Sequence, residues 1–197
     1  MTADGDETRV RLLREARDLY LEKGLATFSL REVARRVHLS PAAVYRHFDS
    51  KEALLREVCA AGFRTFGSFL MRALAAPTPR ERMRSSALQY LRFGLENPLD
   101  YRVMFMAAAD GFAAIEPPHG SAPEPTFQFL VDRVEECMRA KVLREGDSTE
   151  IAAIIWAHVH GLVSLRLSGH LGRAGPDAEF TRFYEAAVER LVTGLAP

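Results

Sequence analysis

Apolar positions recur at helical spacing along most of the chain, and no stretch sustains the period-two alternation of a half-buried strand. Leu12, Leu13, Ala16, Leu19 and Tyr20 follow i, i+1, i+4, i+7, i+8 and predict a first helix, with Gly24 as its stop. Phe28-Ser29-x-x-Glu32-Val33 reads as a capping box inside a hydrophobic staple, which starts a second helix at Ser29 with Leu30, Val33, Ala34 and Val37 on its inner face. Ser40 as N-cap and Pro41 at the first helical position start a third. Asp49 or Ser50 caps a longer fourth helix that runs to about Ala75. Further helices are expected over 79–96, 98–108, 125–144, 147–169 and 177–195, with a proline-rich loop over 109–125. The fold class is all-α, with about nine helices. The segment Ile151–Leu165 is apolar all round and is expected to be buried on most sides, with Gly161 allowing close helix approach. The last helix carries the longest stripe, Phe180, Phe183, Tyr184, Ala187, Val188, Leu191, Val192 and Leu195.

The second and third helices are joined by three residues, His38-Leu39-Ser40, which makes them a helix-turn-helix candidate. Val44 and Phe48, four apart, turn one side of the third helix inward. Pro41, Ala42, Ala43, Tyr45, Arg46 and His47 are then expected to face outward, with Ser40 at the helix head, where a recognition helix meets base edges in a major groove. Small side chains permit close backbone approach, and Tyr45, His47 and Lys51 are donors suited to phosphate oxygens. Charge changes the picture only locally. The whole chain has a formal net charge of zero, which excludes a basic coat, while residues 29–51 hold five basic side chains (Arg31, Arg35, Arg36, Arg46, Lys51) against Glu32 and Asp49.

The run Ser29–Leu54 resembles the DNA-binding domain of the TetR family of bacterial transcriptional regulators, through Ser29, Val33-Ala34, Leu39-Ser40, Tyr45, His47-Phe48, Lys51 and Leu54. Trp156-x-x-x-His160-Gly161 and the Asn97–Phe105 stretch are similar to a subgroup marked by a Trp-x-x-x-His-Gly signature. The resemblance implies that Ser29 and Arg31 approach DNA, that Pro41, Ala42 and Ala43 face the major groove, and that Tyr45, His47 and Lys51 contact phosphates. It implies a domain at 1–55 for DNA and one at 56–197 for effector binding and dimerisation. It also implies a homodimer bundle using the final stripe (Phe180, Phe183, Tyr184, Ala187, Val188, Leu191, Leu195), and a small effector that releases a repressor from a palindromic operator. An activator with the same DNA-binding mode remains open. Family members usually have glycine where this chain has His38, so a left-handed turn here costs about 1 kcal/mol.

The effector pocket is the least legible feature. Tyr90, Phe93, Met104, Phe105 and Phe112 form an aromatic and thioether cluster suited to a largely apolar ligand. Trp156 and His160 are candidates beside them, with core packing as the competing reading. Cys59 and Cys137 are too few for a disulfide framework or zinc set, and Pro117-Pro118 prevents Glu116 and His119 from converging on a helix. No phosphate loop, nucleophile motif or Cys-x-x-Cys appears, so neither enzyme chemistry nor a cofactor or metal is expected. With no signal peptide or apolar run long enough to span a bilayer, a cytoplasmic protein is expected.

Overall fold

The computed structural model describes residues 3–106, 125–171 and 177–197. Among them are nine α-helices: α1 (Ala3–Thr27), α2 (Leu30–Arg36), α3 (Pro41–Tyr45), α4 (Lys51–Met71), α5 (Pro79–Glu96), α6 (Pro98–Phe105), α7 (Pro125–Arg139), α8 (Ser148–Leu167) and α9 (Asp177–Gly194). A 3-10 turn, Arg72–Ala75, follows α4. The expected proline-rich loop lies almost wholly outside the described residues. Two compact units emerge. One comprises residues up to Arg64 together with α6 from Leu99 on, and the other runs from Thr65 to Pro98 and from Pro125 onward.

In the first unit, α1, α2 and α3 close over one core. Leu12, Ala16, Leu19 and Tyr20 meet Phe28, Leu30, Val33, Val37, Val44 and Phe48, and Leu54, Leu55 and Val58 of α4 complete it with Val103 of α6. Gly24, with φ 70° and ψ 172°, breaks α1 where the sequence predicts a stop. Gly62 matters for a different reason. A Cβ there would come within 2.5 Å of Met104 Sδ, so its hydrogen lets α6 lie close to α4. Arg17 of α1 donates to Asp100 of α6 at 2.8 Å and to Asp18 at 2.9 Å.

In the second unit α5 is the central helix, packed against the 3-10 turn, α7, α8 and α9. Its start is a complete capping box, Thr78 with Glu81. Phe66 lies edge-on to Tyr90 at 5.3 Å, and Tyr184 of α9 donates its hydroxyl to the Ala87 carbonyl of α5 at 2.9 Å. Arg82 joins Glu136 of α7 and donates to the Ala76 carbonyl at 2.7 Å. Helix α7 ends at Arg139, short of the expected 144. Lys141 turns left-handed (φ 55°), and Val142 N–H returns to the Cys137 carbonyl at 2.8 Å. Burial pushes the Cys59 thiol up to about 12 and the Cys137 thiol up to about 11, so both are inert packing residues.

One expectation is corrected. Helix α8 is not buried on most sides of this chain. Ile151, Ala152, Ile155, Val159 and Val163 face in, while Ala153, Ile154, Trp156, Ala157 and Leu165 are exposed. Nor does Gly161 admit a neighbour here, since nothing in the described structure lies within 4 Å of its would-be Cβ. Helical periodicity reports that a face is apolar and leaves open what covers it.

Two left-handed positions respond in opposite ways to substitution. His38→Gly, at φ 57°, is expected to add about 1 kcal/mol, raising the melting temperature by about 2–4 °C. Gly24→Ala is expected to remove about 1–3 kcal/mol, because φ 70°, ψ 172° suits glycine alone. Thermal and urea unfolding check both, and a loss of stability in the His38 variant would mean the imidazole has a partner.

Candidate nucleic-acid interface

Side-chain caps hold α2 and α3 in place. Ser29 is extended (φ −145°, ψ 144°), and its Oγ accepts from Glu32 N–H at 3.3 Å. The reciprocal half of the expected capping box is not made, because the Glu32 carboxylate turns to Arg35 instead, at 2.7 and 3.0 Å. Ser40 Oγ accepts from Ala43 N–H at 3.2 Å, with Pro41 at the first helical position. Between the helices His38 is left-handed, and Leu39 N–H closes back on the Ala34 carbonyl at 2.9 Å. Arg11 reaches from α1 to the Val37 carbonyl at 3.0 Å, bracing the end of α2. That contact had no signal in the sequence, since 26 residues separate the partners.

Helix α3 presents one clear outer face. Pro41, Ala42, Tyr45 and Arg46 are exposed, Tyr45 to 50%, and His47 follows them. Val44 and Phe48 are buried beneath. Ala43 was expected outside but is buried, at 9% exposure. In a five-residue helix its position beside Val44 puts it on the inner side. Ser29, Arg31 and Ser40 are exposed as expected. Lys51 is half-buried, and its Nζ donates to the Leu25 carbonyl at 3.3 Å, so it also fastens α4 to the end of α1. Arg9 lies over the Phe48 ring at 5.0 Å, next to His47.

The basic cluster of residues 29–51 is largely spoken for. Arg36 bonds Glu22 at 3.1 Å, and Glu32 has Arg35, Lys23 (3.6 Å) and Arg36 (4.0 Å) around it. The Arg35 bond holds the Glu32 carboxyl down to about 2, and that from Arg36 lowers Glu22. Among the described residues, Arg31 and Arg46 are the arginines of this stretch with no carboxylate or carbonyl partner.

In the second unit Tyr90 is buried, and its hydroxyl lies 3.1 Å from His160 Nδ1. Trp156 is partly exposed, tilted against His160 (5.7 Å) and edge-on to Phe127 (6.2 Å). Phe93 is fully buried, packed on Phe66 and Phe69. Gln89 Oε1 and His158 Nε2 are buried with no hydrogen-bond partner among the described residues. Met104 and Phe105, also expected at the pocket, belong to the first unit on α6, where Phe105 meets Phe63 at 5.8 Å. Phe112 lies outside the described residues. Of the expected dimer stripe, Phe180, Tyr184, Val188 and Leu195 are buried within the chain itself. Ala187 and Leu191 are half-buried, and Phe183 is 47% exposed.

Two capped helices, a four-residue connection turning on the left-handed His38 and an outward face of small, aromatic and cationic side chains define a helix-turn-helix transcriptional regulator. The chain belongs to the TetR family. Residues 12–58 match the family of bacterial regulatory proteins named for it, and residues 83–191, over half the chain, match the tetracyclin repressor-like C-terminal domain. The curated relatives and both family models are those of regulators, not enzymes. UidR of Escherichia coli K12, a helix-turn-helix transcriptional regulator, is 34% identical over 58 residues, which span 29% of this chain and 30% of UidR. An uncharacterised regulator of Mycobacterium tuberculosis H37Rv is 32% identical over 111 residues, 56% of this chain and 51% of that one. Among solved structures, a protein of unknown function from Rhodococcus sp. RHA1 superposes with a TM-score of 0.75 at 26% identity, over 96% of each chain. A TetR family transcription regulator from Marinobacter aquaeolei VT8 shares the fold at a TM-score of 0.80 and 21% identity, over 100% of this chain and 99% of that one.

Burial lowers the pKa of His160 below its ordinary 6.5. The unfolded chain therefore takes up the proton first, so the stability tied to neutral His160 is full above about 6.5 and is lost as pH falls through the folded value. Melting temperatures between pH 8 and 5 should drop more steeply for the wild type than for His160→Asn. Parallel curves would show that the imidazole is solvated.

Proposed function

We propose that this regulator is a ligand-inducible repressor, acting in the cytoplasm as a homodimer on a palindromic operator, with one half-site per subunit. Residues 1–55 bind DNA, and 56–197 bind effector and the second subunit. The observation that carries the reading is the outer face of α3, where Pro41, Ala42, Tyr45 and Arg46 stand exposed over the buried Val44 and Phe48. Arg31, unpaired at the start of α2, is the candidate base reader. Tyr45, His47 and Arg46 are the candidate phosphate donors, with Ser29 and Ser40 beside them. Lys51 joins them as a weaker candidate, its ammonium already engaged with Leu25.

Support for a second subunit comes from α8 and α9. Ile154, Ala157, Gly161 and Leu165 recur at i, i+3, i+7, i+11 on an open face of α8, and Phe183 stands out from α9. By length and composition α8 is also apolar enough to cross a membrane. Its packing against α5, α7 and α9 favours a protein cover instead. Within the second unit, Tyr90, His160, Trp156 and Phe93 suit a small, largely apolar effector with one polar group. Effector binding favours a dimer whose half-site spacing no longer matches successive major grooves, and operator must weaken effector binding by the same factor.

Selection of fragments bound by the purified protein from the genome that encodes it should enrich an inverted repeat. Tyr45→Ala should abolish that enrichment. Arg31→Ala should cost about 1–3 kcal/mol of discrimination at one base pair. Binding that ignores sequence would sink the reading. Ile154→Glu should turn the dimer into a monomer in light scattering, and a mass unchanged by that charge would place the subunit interface elsewhere.

A further inference from the structure

Arg35 follows Arg31 by four residues, so the two share one face of α2. The Arg35 side chain is 72% exposed, open enough to meet a phosphate. Yet its guanidinium is closed on Glu32 in a two-armed pair, Nη2 to Oε1 at 2.7 Å and Nε to Oε2 at 3.0 Å. The same carboxylate holds Lys23 at 3.6 Å. A cation in such a pair adds little net charge to the surface. To reach a phosphate it must first leave the carboxylate, which itself repels the phosphate. Arg31 and Arg46 carry no such partner. The distinction separates two kinds of affinity. Neutralising phosphates supplies the part of binding that ignores sequence, whereas base contacts supply the part that reads it.

We infer that Glu32 is a specificity-determining residue of the DNA-binding face, withholding Arg35 and Lys23 from backbone phosphate. It lowers affinity for duplex of any sequence and leaves operator choice to the side chains that face bases. The inference rests on the DNA-binding reading above. Glu32 stays charged at any working pH, since its carboxyl is held down to about 2, so the restraint is constant rather than switched.

The test measures binding of the full chain to a random-sequence duplex and to the genome-selected duplex across salt. Four proteins are compared: wild type, Glu32→Gln, Arg35→Gln and the double variant. Glu32→Gln should tighten binding to the random duplex and steepen its log–log salt slope by about one unit, with a smaller gain on the selected duplex. Adding Arg35→Gln should cancel most of that gain. Arg35→Gln alone should leave the wild-type slope unchanged. The Ser29 cap uses the backbone N–H of residue 32, which glutamine keeps. The Arg35→Gln arm does not touch that cap, so it decides the matter even if the Glu32 variant folds poorly. A wild-type protein that binds its selected duplex while Glu32→Gln changes nothing on random DNA overturns the inference and leaves the DNA reading intact. So does a slope that falls by about one in Arg35→Gln alone. Failure of the wild type to bind either duplex overturns both.

Discussion

Helices of seven and five residues cannot be held by their own backbone hydrogen bonds, because nucleation costs more than so few bonds return. Everything about the first unit follows from that constraint. Both helices begin on a serine cap, Ser29 or Ser40. The end of α2 is braced by Arg11 from α1. Val44 and Phe48 anchor α3 to a core shared by α1, α2 and α4. Apart from Pro41, which starts the helix, the outer face of α3 is therefore free to be chosen for what it meets.

The charge pattern shows the same division of labour. A count of basic residues from 29 to 51 suggests a strongly cationic surface. In three dimensions Glu22 and Glu32 absorb Arg35, Arg36 and Lys23, and Lys51 serves a carbonyl. Exposed pairs of this kind contribute little to stability, so their interest lies in the field they leave behind. Two unpaired arginines at defined places make a more selective surface than five cations spread along it.

Local rules made most of this unit legible. Capping residues, Pro41, Gly24 and the apolar spacing placed the helices within a few residues, because each signal acts over one turn. The capping box was half right, since sequence shows that Glu32 stands at the correct spacing but not that Arg35 competes for it. Ala43 was misplaced because a single helical turn gives periodicity too little to work on. The C-terminal helices were legible as helices and much less so as surfaces. Phe180, Tyr184 and Val188 form a stripe that packs within the chain, whereas the open face of α8 reads in the sequence as deep core. Hydrophobic patterning measures the need for cover and is silent on which chain supplies it. Long-range polar contacts such as Tyr90 with His160 and Tyr184 with Ala87 depend on helix packing that no local motif encodes.

The turn at His38 has a counterpart at Lys141. Each is a left-handed residue bearing a full side chain, and in each the amide that follows it turns back on the helix, Leu39 N–H onto Ala34 and Val142 N–H onto Cys137. One lies in each unit. Hydrogen exchange at those two amides thus reads the opening free energy of equivalent turns in separate parts of one molecule. The pair forms a built-in gauge of how far the two units fluctuate independently, and a ligand that stiffens one unit alone would slow one amide and spare the other.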